Sequence, residues 1–118
     1  MKGMECLLVE TLLAASSFEI TEAVLASIEQ TFESYGFRPL LEILITTHAV
    51  HCARRSDEME RVAAMLSSMH LPSPMSEASR DLLSQSRKSG VTEHFRGMPS
   101  STSQAIIEYL KNHYEEKL

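Results

Sequence analysis

The segment from Pro39 to Met69 constrains the fold more than any other stretch of the chain. Leu41, Ile45, Cys52, Met59, Val62, Leu66 and Met69 recur at steps that combine threes and fours, and His48 and Arg55 fall on the same stripe. That spacing places all of them on one face of a helix about thirty residues long, and a face that apolar must be covered. Ser56 followed by Asp57, Glu58 and Glu60 has the chemistry of a helix start. The segment is therefore expected to be a pair of helices, 39–55 and 57–69, meeting in a tight junction near Arg55–Ser56, rather than a single rod.

The flanking segments read as helices that pack around it. Met4, Leu7, Leu8 and Leu12 share a face of a first helix over 4–15, which is apolar nearly all round. A second helix spans 21–35, with Thr21 as its N-cap, Gly36 just past its end, and Val24, Leu25, Ile28, Phe32 and Tyr35 as its core stripe. Leu71-Pro72-Ser73-Pro74 breaks the chain, and Ser73-Pro74 opens a helix over 74–88. Residues 90–101 are expected to form a loop. Ser101 and Gln104 then form a capping box for a last helix over about 102–116. The reading is a single all-α domain, 1–118, of five or six helices. The β-branched run in Leu41–Val50 supports one alternative, a small α+β fold with strands near 5–13 and 40–48.

A chain of 118 residues with 43% hydrophobic residues can bury a sizeable core without disulfides or metal. Its net charge is −5, and the first fifty residues hold two cations, Lys2 and Arg38, against seven acids. That balance argues against nucleic acid and anionic membrane as partners. Cys6 and Cys52 do not suggest a disulfide framework. The N-terminal apolar run is interrupted by Glu5 and Glu10, which a secretory signal tolerates poorly, so a cytoplasmic protein is expected.

Three clusters have chemical potential. His48, His51 and Cys52 lie on one side of a helix, and His and Cys one turn apart can share a zinc ion. Two or three ligands do not complete such a site, and core packing is the simpler reading. His51 with Arg54 resembles one turn of histidine phosphotransfer domains, which are helical bundles of this size. In that family the phospho-accepting His is exposed, with Lys three residues on and a small residue four residues on. Arg54 matches the cation here, but Arg55 stands where the small residue belongs. Arg80, Arg87, Lys88 and Arg96, with His94, form a serine-flanked basic run that can meet an anion. As an anion site the candidates are His51, Arg54, Arg87 and Lys88. Seven methionines, with Met59, Met65 and Met69 close together, suit core filling better than an adaptable groove. No motif of nucleophilic or acid–base catalysis is present.

The leading expectation is a non-enzymatic interaction or regulatory module whose partner is protein, most simply a second copy of itself. Leu8 and Leu12, with the acidic stripe Glu22, Glu29 and Glu33, are its candidate contact residues. No cofactor is expected, zinc being the one held in view. A His/Cys metal or cofactor protein and a phosphotransfer domain are the alternatives.

Overall fold

Residues 1–98 and 101–116 are described by the structure, a computed structural model. Six helices follow one another: α1 (Lys2–Ser17), α2 (Thr21–Tyr35), α3 (Phe37–Ser68), α4 (Pro74–Lys88), α5 (Val91–Phe95) and α6 (Ser103–Glu116). The all-α reading holds. The α+β alternative fails, because 5–13 and 40–48 both lie inside helices and no strand occurs among the described residues. The β-branched residues of 41–50 are accommodated by back-bonding: Thr46 Oγ1 donates to the Glu42 carbonyl at 2.9 Å and Thr47 Oγ1 to the Ile43 carbonyl at 2.7 Å.

The expected junction at Arg55–Ser56 is a correction. α3 is one helix of 32 residues, about 48 Å long. Ser56 does not cap it. Ser56 is buried, and its hydroxyl crosses to α4, donating to the Arg80 carbonyl at 3.2 Å. Asp57, Glu58 and Glu60 are exposed; Glu58 pairs with Arg54 on the same helix, and Glu60 reaches across to Arg80 of α4.

The predicted bounds of α2 and α4 agree with the structure, as does Ser73 as the N-cap of α4, but the cap of α2 differs. Thr21 is the first helical residue of α2, not its N-cap, which is Ile20. Ser73 is the N-cap of α4, with Pro74 next, yet Ser73 makes no side-chain capping bond. Gly36 alone separates α2 from α3, at φ 76° and ψ 158°, a backbone state that glycine adopts without steric cost. The expected loop over 90–101 contains the short helix α5, launched by Gly90 at φ 80°. At the start of α6, Thr102 Oγ1 accepts from the Ala105 amide at 3.2 Å, so the cap is Thr102 and not Ser101. α1 and α3 both end in a left-handed residue that is not glycine, Glu19 and His70. In each case the next amide reaches back five residues, Ile20 to Ala15 and Leu71 to Leu66, which closes the helix end.

α3 packs along α4, and α5 and α6 close over its middle. Ala49, Cys52, Val91 and Ile106 form the core, enclosed by Ile45, Leu83, Phe95, Tyr109 and Leu110. The buried line on α3 runs Ala49, Cys52, Ser56, Ala63 and Leu66. This line is turned slightly from the expected stripe: Cys52 and Leu66 are shared, and Leu41 is exposed. Small residues line it because α4 lies close.

Candidate functional site

The core lies between α3 and the helices that follow it. α2 has no buried residue, and α1 buries only Glu10 and Ala15. Leu25, Phe32 and Tyr35, read from the sequence as core, are 40%, 37% and 53% exposed. Val24 and Ile28 are half-buried against the rest. On α1, Leu7, Val9 and Leu13 face solvent, and on α3 so do Phe37, Leu41, Ile43 and Leu44.

The surface as a whole is that of an extended molecule. The chain exposes 8273 Å², whereas a compact monomer of its mass exposes about 6,400 Å². Its radius of gyration is 15.8 Å, against about 13.5 Å for a compact domain of this length.

Two recesses lie on these helices. One, of about 490 Å³, runs along α1 past Met4, Leu8, Val9 and Leu12. The other, about 270 Å³, sits between α2 and the start of α3 and is lined by Ile28, Phe32, Leu40 and Leu44. Phe32 and Phe37 stack across the Gly36 corner with ring centroids 6.2 Å apart. Glu22, Glu29 and Glu33 are exposed along α2, so the acidic stripe borders the apolar one. Leu8 and Leu12 are half-buried.

The His48–His51–Cys52 cluster lies elsewhere, on the α3 face that meets α4 and α5. His48 Nε2 is 2.7 Å from Ser86 Oγ, and Ser86 is 2% exposed. Burial, with the Arg55 guanidinium nearby, holds the His48 imidazole below its usual pKa. Arg55 is itself tied back to Thr47 Oγ1 at 3.1 Å. Cys52 is fully buried, its sulfur 3.4 Å from Thr92 Oγ1, and Thr92 donates to the Ala49 carbonyl at 2.6 Å. His51 is half-buried. Among the described residues no three His, Cys, Asp or Glu side chains are gathered to hold a metal ion.

The basic run is divided. Arg80 is engaged by Glu60 and Asp81, each at 3.0 Å, and Arg54 by Glu58 at 3.5 Å. Arg87 and Lys88 are exposed in the last turn of α4, where they suit the helix dipole. Ser86 and Ser89 beside them are buried. No ion pair or hydrogen bond among the described residues joins Arg87 or Lys88 to His51 or Arg54.

Two carboxylates carry structural roles that the sequence reading missed. Glu10, 5% exposed, crosses from α1 to cap α4, accepting from the Met75 amide at 2.9 Å, the Ser76 amide at 2.8 Å and the Ser76 hydroxyl at 2.7 Å. Glu42 of α3 does the same for α6, accepting from the amide of Ser103 at 2.8 Å and from its hydroxyl. Those bonds hold the Glu42 carboxyl below the usual range. The available signal was negative: Ser73 and Ser101 were adequate caps by type, and nothing local shows that a distant carboxylate takes the position.

Residues 15–86 match the family described as Domain of unknown function (DUF1932), well over half of the chain. The chain belongs to that family. No curated protein and no solved structure matches it. The matched segment runs from the end of α1 through α2 and α3 into α4. The DUF1932 segment thus includes the whole exposed α2–α3 face, while most of α1 and all of α5 and α6 lie outside it. No helix among the described residues is long and apolar enough to cross a membrane.

Proposed function

We propose that this DUF1932 chain is a protein-interaction module whose apolar α1–α2–α3 face seats a second copy of the chain. The observation that carries the reading is the row of exposed large apolar side chains Leu25, Phe32, Tyr35, Phe37, Leu41 and Leu44 on α2 and the start of α3, beside an α2 that buries no residue of its own. A helix of 15 residues with this composition is marginal in water alone, so α2 needs a cover on its apolar stripe. The acidic border formed by Glu22, Glu29 and Glu33 has the character of a polar rim.

Light scattering behind size exclusion tests this reading. The expected mass is twice 13.2 kDa at tens of micromolar protein. A mass of 13.2 kDa held across that range overturns it. A reproducible excess of metal in the native mass would instead point to the His48–His51–Cys52 cluster.

A further inference from the structure

We propose that α6 is a strap, latched by Glu42, that lifts away as a unit and gates the buried thiol of Cys52. α6 gives the core a single buried residue, Ile106, which joins Ala49, Cys52 and Val91, with Tyr109 and Leu110 half-buried at the edge of that cluster. The rest of its hold is polar. The Ser103 amide donates to Glu42 at 2.8 Å and the Ser103 hydroxyl donates to the same carboxylate. The Tyr109 hydroxyl donates to the Ser89 carbonyl at 2.7 Å, and the Tyr114 hydroxyl bonds Gln85 Oε1 at 2.9 Å. The helices beneath do not need α6 to stay together. α3 is joined to α4 through Ser56 and the Arg80 carbonyl and through His48 and Ser86, and to α5 through Thr92 and the Ala49 carbonyl. Segments held by few buried apolar contacts open at lower free energy than the core they rest on.

The latch is electrostatic. Glu42 meets the first turn of α6, where free amides and the helix dipole favour a negative charge, and its two oxygens take both donors of Ser103. The carboxylate is exposed, so water competes for it and the latch can release without leaving a buried orphan. Lifting α6 withdraws Ile106 from the cluster that encloses Cys52. That thiol is 0% exposed while the strap is down, and its only polar neighbour is Thr92 Oγ1 of α5 at 3.4 Å. A thiol reacts only where a reagent can reach it. Access to Cys52 therefore reports whether the strap is down, while the α3–α4 pair stays folded.

Amide exchange of the full chain, read by mass spectrometry at fixed protein concentration, tests the proposal together with maleimide labelling. Glu42→Gln removes the charged acceptor, and Ser103→Glu sets a second carboxylate against Glu42. Each is expected to speed exchange in α6 about fivefold, the effect of losing a hydrogen bond to a charged group at an exposed site, and to leave α4 amides unchanged. In both variants Cys52 is expected to take the label without denaturant, whereas in the wild type only Cys6 does. Glu10→Gln, which loosens α1 from α4, is expected to leave α6 exchange as it was. Equal acceleration of α3, α4 and α6 in the latch variants overturns the proposal, because α6 then opens only with the rest. Unchanged α6 exchange in both variants overturns the latch. Faster α6 exchange with Cys52 still unlabelled overturns the gate.

Discussion

Replacing Glu10 tests how α1 is held and how α4 begins. Its carboxylate is buried, forms no ion pair among the described residues, and is compensated by three donors at 2.7–2.9 Å. Two of them are amides of the first turn of α4, where the helix dipole also favours negative charge. Glu10→Ala removes the acceptor and leaves Ser76, 4% exposed, with an unpaired amide and hydroxyl. A lost helix cap costs about 1 kcal/mol and a buried orphan donor about 1–3 kcal/mol, so the variant should lose about 3 kcal/mol. Glu10→Gln keeps an acceptor for one amide but turns its own NH2 toward the remaining donors, and should lose about 1–2 kcal/mol. Urea unfolding followed by circular dichroism reads this as a fall in midpoint at constant slope. Protein concentration is held fixed, because the proposed self-association would add a concentration-dependent contribution to the apparent stability. Glu42→Gln is the matched control. It is the same device on α6, but its carboxylate is exposed and water can replace it, so its shift should be smaller than that of Glu10→Gln. A Glu10→Ala variant within 0.5 kcal/mol of wild type, where ordinary surface substitutions fall, would refute the reasoning.

Two further outcomes follow from individual groups. The folded state holds His48 below its usual pKa, so the unfolded chain binds the extra proton first. Stability should therefore be unaffected by His48 above about pH 6.5 and should decline as pH falls below it, while His48→Gln flattens that part of the profile; identical slopes for the two proteins between pH 7.5 and 5 would contradict it. Of the two thiols, Cys6 is exposed and Cys52 is buried. Under native conditions a thiol reagent should consume one equivalent per chain, and the second only in denaturant. Prompt reaction of both would mean that the α3–α5 contact opens readily.

Much of the architecture was legible because it is written locally. Pro72 and Pro74 break the chain wherever they occur, and Gly36 ends α2, so the bounds of α2 and α4 could be read directly. The continuity of α3 could not. Ser56, Asp57 and Glu58 carry the same local preferences whether a helix starts there or passes through. What decided it was a bond from Ser56 to a carbonyl 24 residues away. The capping roles of Glu10 and Glu42 were hidden for the same reason, with partners more than 60 positions distant. The stripe of α2 was read correctly as apolar but wrongly as core, because amphipathicity says that a face needs cover and not what covers it. The small residues Ala49, Cys52 and Ala63 mark where α3 is most deeply buried, and a search for large apolar residues passes over them.

The unbroken run of α3 from a clothed half into a bare one has a consequence for how the protein opens. Its backbone bonds are formally alike along the whole rod, but the tertiary support behind them is not. Around Ala49, Cys52 and Leu66 an amide is released to solvent only when the packed helices come apart together. Between Phe37 and Leu44 the rod is held by α2 and by the Glu42 bonds to Ser103 of α6, and most of its side chains are exposed, so the turns can fray singly. Amide exchange along this one helix should thus form a gradient, fast near Gly36 and slow beyond Ala49.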